Sequence, residues 1–437
     1  MNVTSIASLP EPRRFFYGWW IVLAAFLNLF FSVGIVYYGF PVFYPSLVES
    51  LGFTRAQLTQ GFLIGFVVSG LLLGIPAGVL IDRLGARSVI RVGVGFVGLS
   101  LILMGSIAHL WQYYALCITE VVGYVLTGPI PNQVLISNWF CARRGRAMGY
   151  AYLGLGLGGA VSPLLISWLI RGLGWRRAFQ IIGALTLAVL FPIAQWLTRS
   201  APGELRLSPD GLSREPEAKV RYPKSGVEHP AFDIGRAVRT GNFWLILAGC
   251  TLTIGAIGAV TQHFVLFLKD QGYSLSWASR VSSGMLVASL AGRIVVGYIA
   301  DRYCKKNVMS LFYLLLASAI PMLFLPRSPE SIWGFAAIFG FAMGADYMLI
   351  PLVTAECFGL ANLGKLLALI ITGYSVGQWL APWLAGRVFD AAHSYDVAWV
   401  MVTVGGLAGA ATIYAVAPGR DKCEVTPQHH RHGHNAT

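Results

Sequence analysis

The sequence predicts an all-α membrane protein of twelve transmembrane helices, arranged as two pseudo-symmetric six-helix halves. Three observations predict it. Of 437 residues, 56% are hydrophobic and only 12% are charged, about half the charged share that keeps an ordinary soluble domain in solution. Apolar stretches of about 20 residues, the length that crosses the hydrocarbon core as a helix, recur twelve times. Short signatures also repeat between the two parts of the chain at a fixed spacing.

The apolar stretches lie near 17–40, 57–80, 88–107, 111–137, 146–170 and 177–198. They resume near 242–268, 277–300, 306–325, 331–355, 366–389 and 395–418. Fifty glycines and thirteen tryptophans fit this reading, since both residues are frequent in spanning helices or at their interfaces. Between the two sets, the interval 199–241 carries Pro202, Pro209, Pro216, Pro223 and Pro230 among charged residues. Such a composition cannot bury a core. The expected divisions are a six-helix half over 1–198, a cytoplasmic linker over 199–241, a second half over 242–418 and a cytoplasmic tail over 419–437. The first sixteen residues hold no separate apolar segment with a cleavage site, so the first span is expected to direct insertion.

A net charge of +13 invites a nucleic-acid reading, but its distribution follows topology. With the N-terminus inside, twenty-three of the thirty-two lysines and arginines fall on inner segments and eight on outer ones. The positive-inside rule then puts both termini in the cytoplasm and requires no nucleic-acid partner. A multi-pass plasma-membrane protein is expected, in the cell inner membrane if bacterial. The six cysteines are far apart and form no CxxC pair, which supports neither a disulfide framework nor a metal site. The tail histidines His429, His430, His432 and His434 read as a disordered polar tail.

Gly78, Asp82 and Arg83 recur 219 residues later as Gly297, Asp301 and Arg302, at the same end of the second span of each half. A weaker match relates Phe140, Gly145 and Arg146 to Phe358, Gly364 and Lys365. Two similar halves of parallel topology are the architecture of a transporter that rocks about a central site. The segment from Gly78 through Asp82 and Arg83 to Arg87 resembles the loop signature of the major facilitator superfamily. Asp82 beside its arginines is expected to form a latch that breaks when the halves rotate, with Asp301 and Arg302 as its counterpart. Positive-inside anchoring alone accounts for Arg83 and Arg87 but not for Asp82 or the glycines.

Within that superfamily, three segments resemble the monocarboxylate transporter family and its bacterial relatives. They are Tyr17-Gly18-Trp19-Trp20 at the first span, Trp139 through Gly149 at the fifth, and Ala291-Gly292-Arg293 through Gly297 in the eighth. The resemblance implies a carrier of small organic anions. Three departures leave proton coupling and the substrate open: Tyr17 replaces the usual acidic residue, Ser289 stands where many animal members carry aspartate, and the first span has no lysine.

Arg293 lies eight residues before Asp301, about 12 Å into the hydrocarbon by helical rise. Such a charge costs about 3 kcal/mol on insertion scales and is functional by default. Its parallel N–H donors match a carboxylate. The competing reading is an arginine that snorkels or is permanently paired. Glu120 and Asp346 also fall within spans and are candidates for proton coupling or for structural acids; Asp346 is the candidate counter-ion of Arg293. Asn28, Asn132, Tyr374 and Gln378 lie at useful depth, either to bind solute or to join helices. Pro129 and Pro131 should disturb the fourth helix and free carbonyls near Asn132. His263 reads as an interhelical hydrogen-bonding residue or a cavity liner. Gly154, Gly156, Gly158, Gly159, Gly373 and Gly377 should let helices approach closely.

Together these imply a secondary active carrier of small monocarboxylates, lactate- or pyruvate-like, proton-linked or exchanging, working by alternating access. An oxalate/formate-type organic-anion antiporter and a transporter-like receptor without flux are the alternatives. With no nucleophile–base pair, metal cluster or cofactor loop visible, neither enzyme chemistry nor a cofactor is expected.

Overall fold

A computed structural model describes residues 16–73, 76–140, 143–205, 207–211, 234–300, 302–324, 328–358 and 363–417. Every regular element among them is helical. Eight helical stretches are long and apolar enough to cross a bilayer. One of these, Arg146–Leu197, runs for 52 residues. That is about 78 Å at the α-helical rise, more than twice the hydrocarbon thickness. It is two spans, separated at Gly174, whose φ of +80° only glycine adopts without strain. The second span, Arg55–Leu73, resumes at Pro76 and turns into the third at Gly85, where φ is +77°. The tenth is Pro329–Met343 followed by Asp346–Phe358, and the eleventh is Leu363–Ala392. The expected twelve spans are all present.

Two elements differ from the sequence reading. The first span does not stop near residue 40. It continues as a π-helix over Phe30–Gly39, a tight turn over Phe40–Phe43 and a helix over Tyr44–Leu51. Pro41 and Pro45 each fall in the first turn of a new segment, where a missing N–H breaks no helical bond. The tenth span, expected to be continuous, is interrupted between Met343 and Asp346. The fourth span is interrupted too, at Gly128, whose ψ of −150° is extended. Gly344 follows Gly128 by 216 positions, close to the spacing of the sequence repeat. The fourth and tenth spans are counterparts in the two halves, so the same interruption occurs twice.

Small residues set the closest packing. A Cβ at Gly154 or Gly158 would stand 2.1 or 2.3 Å from the carbonyl oxygens of Phe26 and Phe30. The first and fifth spans therefore touch backbone to backbone. At Gly377, a Cβ would stand 2.3 Å from the Thr251 carbonyl oxygen, which brings the eleventh span onto the seventh in the same way.

By the parity of crossings, Tyr17, Leu197, Asn242 and Ala417 share one end of the bundle, here the near end. The Tyr17 hydroxyl donates to the Leu197 carbonyl at 2.8 Å, and the Trp139 indole donates to the Arg199 carbonyl at 2.8 Å. Arg87 donates to the Gln195 carbonyl through its guanidinium, and its backbone N–H donates to Ser200 at 3.1 Å. Of the expected latch residues, Asp301 lies outside the described residues, as do the surroundings of Gly78 and the side chain of Asp82. Arg83 is exposed, and Arg302 stacks over Tyr298 at 4.1 Å. The C-terminal tail and its histidines also lie outside the described residues.

Candidate functional site

The two interrupted helices frame the centre of the bundle. Where the tenth span breaks, it lies directly on the eighth. A Cβ at Gly344 would be 2.3 Å from the Ser289 carbonyl oxygen and 2.8 Å from the Arg293 backbone nitrogen. This contact requires glycine and brings Asp346, two residues on, beside the turn that carries Arg293. Unwound backbone at mid-membrane is tolerated where it is buried in protein or lines a cavity. Interruptions at corresponding positions of two repeats mark a binding site.

The Arg293 side chain is half-buried and directed at the first half of the molecule. A Cβ on Gly156 of the fifth span would lie 3.5 Å from its Nη1. Among the described residues, no hydrogen bond or ion pair engages this guanidinium. Asp346 is within its electrostatic reach but is bonded elsewhere, accepting from the Tyr313 hydroxyl at 3.0 Å. Tyr313 in turn lies 3.9 Å from the Cys250 sulfur. The expected counter-ion is thus a near neighbour held off the guanidinium by a tyrosine.

Around this pair stand phenols from both halves. Tyr38 and Tyr152 are within electrostatic reach of Arg293, and Tyr374 is within reach of Asp346, Tyr124 and Tyr152. Tyr152 accepts from the Gln133 amide. The hydroxyls of Tyr38, Tyr124 and Tyr374 have no hydrogen-bond partner among the described residues, although Tyr38 is only 7% and Tyr374 only 6% exposed. The Tyr38 hydroxyl thus lies in the field of the free guanidinium, with Tyr124 and Tyr374 linked to it through neighbouring phenols and Asp346. Gln378 is buried against the Tyr37 hydroxyl, with Thr261 on the same hydroxyl, and Tyr37 is within electrostatic reach of Asp346.

Asn28 and Asn132 join helices. The Asn132 amide donates to the carbonyls of Thr127 and Gly128 at 2.7 and 2.8 Å, the groups freed by the break in the fourth span. Its oxygen accepts from Asn28 at 3.2 Å. Both residues are fully buried and brace the interrupted helix against the first span; the Asn28 oxygen keeps no partner. Glu120 is fully buried, and neither of its oxygens has a partner. Cys117, Tyr44 and Tyr113 are within its electrostatic reach, and it precedes Tyr124 by one turn of the same helix. His263 bridges helices through the Tyr395 hydroxyl at 2.9 Å and the Pro382 carbonyl at 2.8 Å.

Sequence reasoning singled out Arg293, Asp346 and Tyr374, which the fold gathers, but missed Tyr38, Tyr124, Tyr152 and Tyr313. A chain with 18 tyrosines gives no sign of which hydroxyls end up unpaired. It also missed the break at Gly344.

Hydrogen bonds, ion pairs and ring contacts join the halves from mid-membrane to the far end. Tyr44 donates to Gln262 at 2.9 Å, and Gln262 donates to the Tyr37 carbonyl at 3.3 Å. Trp379 stacks on Phe62 at 5.2 Å and on Phe66 at 4.5 Å and meets Tyr37 edge-on at 5.5 Å. The central residues therefore lie beneath an aromatic lid.

Known proteins share this fold. A model of the Major Facilitator Superfamily matches residues 25–303 and 276–432. Monocarboxylate transporter 13 of Bos taurus is 26% identical over 412 residues, covering 92% of this chain and 90% of its own. An uncharacterized MFS-type transporter, YhjX of Escherichia coli, is 24% identical over 375 residues, covering 82% and 85%. Among solved structures, a bacterial homologue of the human lysosomal transporter Spinster, inward-facing and unoccupied, superposes with a TM-score of 0.66 at 17% identity over 93% of this chain and 95% of that one. The nucleoside transporter NupG superposes with a TM-score of 0.71 at 12% identity, covering 92% and 99%. With the family matched along most of its length and the twelve-span fold in place, the chain belongs to the major facilitator superfamily of multi-pass membrane transporters.

Proposed function

We propose that this transporter carries small monocarboxylates of the lactate or pyruvate type, by alternating access and with a coupled proton. The observation that carries the reading is the unpaired Arg293 guanidinium, with the Tyr38 phenol in its field, beside the break in the tenth span. A guanidinium holds a carboxylate through two parallel N–H···O bonds, and low dielectric strengthens them. Tyr38, Tyr124 and Tyr374 would donate to or accept from the substrate's hydroxyl or keto oxygen. The family names of the relatives support the same class.

Coupling follows from Asp346 sharing the field of Arg293. An arriving carboxylate engages the guanidinium and sets a second negative charge near Asp346, which favours proton uptake there. One anion and one proton then move together, and no net charge is left at mid-membrane. Glu120 remains the other candidate acid; Asp346 is preferred because it lies in the field of Arg293.

The lysine and arginine distribution supports placing both termini in the cytoplasm of a plasma membrane. On that orientation the near end is cytoplasmic, the first half is 1–198, the linker 199–241 and the second half 242–418. The direct test is uptake of labelled lactate into proteoliposomes with and without an inward proton gradient. Gradient-driven accumulation supports the reading. Binding without flux would make the chain a receptor, and oxalate–formate exchange indifferent to protons would make it an antiporter.

A further inference from the structure

At the far end, four spans meet on one side chain. Arg55 opens the second span and is the only cation of its first segment, Arg55–Leu73. Its Nη1 lies 2.5 Å from Asp270 Oδ2 and its Nη2 lies 2.6 Å from Asp270 Oδ1, a two-pronged pair with the end of the seventh span. The same Nη1 donates to the Tyr395 hydroxyl at 2.8 Å, at the start of the twelfth span. The guanidinium lies flat on Phe389 of the eleventh span, 3.7 Å from the ring centroid. The backbone joins in as well. Asp390 accepts the N–H groups of Arg55 at 3.2 Å and Ala56 at 3.0 Å. A carboxylate from one half thereby caps a helix of the other, where free N–H groups and the helix dipole attract an anion.

We infer that Arg55, with Asp270, Asp390 and Tyr395, forms the lock that shuts the far end of the carrier and must open once in every transport cycle. Every partner of the guanidinium lies in the opposite half of the molecule. Hydrogen bonds and ion pairs of this kind are lost within an ångström or two of separation, so rocking the halves apart at this end breaks all of them together. The Arg55 side chain is 10% exposed, which limits screening by water and salt. The backbones also touch here: a Cβ on Gly386 would be 2.8 Å from the Ala56 Cα. His263 fixes the Tyr395 hydroxyl from behind. The nearby Lys269–Glu49 pair, at 3.7 Å and largely exposed on the Glu49 side, is too loose to hold the halves. No comparable bond joins the halves at the near end among the described residues. The lock therefore sets the balance between the two access states, because removing contacts made in only one state shifts the population toward the other. The inference rests on alternating access and is independent of which anion is carried.

The test is a pair of spin labels at Ser50→Cys and Arg280→Cys, exposed far-end sites in opposite halves. The background is a cysteine-free version of the full-length carrier that still transports, reconstituted in lipid. The unmodified lock should give a predominantly short distance. Arg55→Ala and, independently, Asp270→Asn should move the major population to a longer one. The charge exchange Arg55→Asp with Asp270→Arg should restore much of the short population, which a merely destabilised protein would not do. If the Arg55 variant fails to fold, the Asp270→Asn variant decides. An unchanged distance distribution in a folded lock variant overturns the inference. Failure to transport lactate, with the distance shift intact, would count against the anion assignment alone.

Discussion

Asp346 and Arg293 lie within each other's field yet do not form an ion pair, because the Tyr313 hydroxyl holds the carboxylate at 3.0 Å. A permanently neutralised pair would leave nothing for a substrate to bind. This spacing keeps the guanidinium open and the acid close enough to respond when an anion arrives. It depends on Gly344, which lets the tenth span lie against the backbone of Arg293.

Asp346→Asn should therefore uncouple the carrier. Exchange of internal for external lactate should persist, while accumulation driven by a proton gradient should vanish. Counterflow and gradient-driven uptake, measured on the same proteoliposomes, check this. Glu120→Gln should leave gradient-driven accumulation intact, since it is Asp346 that shares the field of Arg293. Loss of accumulation in the Glu120 variant would reassign the proton.

Tyr38→Phe and Tyr374→Phe should distinguish hydroxy acids from plain ones. Each removes one unpaired hydroxyl while keeping the ring. A neutral hydrogen bond is worth about 0.5–1.5 kcal/mol, so KM for lactate should rise up to about tenfold, while that for propionate should move little. Competition assays with the two acids make the comparison.

Asn132→Ala should destabilise the fold rather than alter selectivity. It strands the carbonyls of Thr127 and Gly128 in the protein interior. A buried unsatisfied group costs about 1–3 kcal/mol, which thermal unfolding in detergent should register as a lower midpoint.

Gly154→Ala and Gly149→Ala form a matched pair on one helix. A Cβ at Gly154 collides with the Phe26 carbonyl, whereas at Gly149 nothing lies within 4 Å. Overpacking of this kind costs about 1–3 kcal/mol. Only the Gly154 variant should lose thermal stability.

The span count was legible in the sequence because a bilayer imposes length and apolarity on every crossing, and each span declares itself within about 20 residues. The break in the fourth span was legible through Pro129 and Pro131. Its counterpart at Gly344 was hidden, because glycine is common inside membrane helices and no proline sits at that point. Arg293 stood out because an intramembrane cation is costly wherever it lies. Arg55 did not, as one of eight outer-segment cations, and its role comes from partners 215 and 340 positions away. Likewise the sequence leaves Asn28 and Asn132 open between binding solute and joining helices, because the carbonyls that Asn132 bonds are freed only by the helix break.

The central claim is that a free guanidinium at mid-membrane receives the substrate carboxylate. The most direct measurement is calorimetric titration of lactate into purified wild-type carrier and into the Arg293→Ala and Arg293→Lys variants, each first verified as folded. Binding should be lost in the alanine variant. In the lysine variant it should be strongly weakened, because an ammonium keeps the charge without the parallel donors. Undiminished lactate affinity in Arg293→Ala would contradict the account.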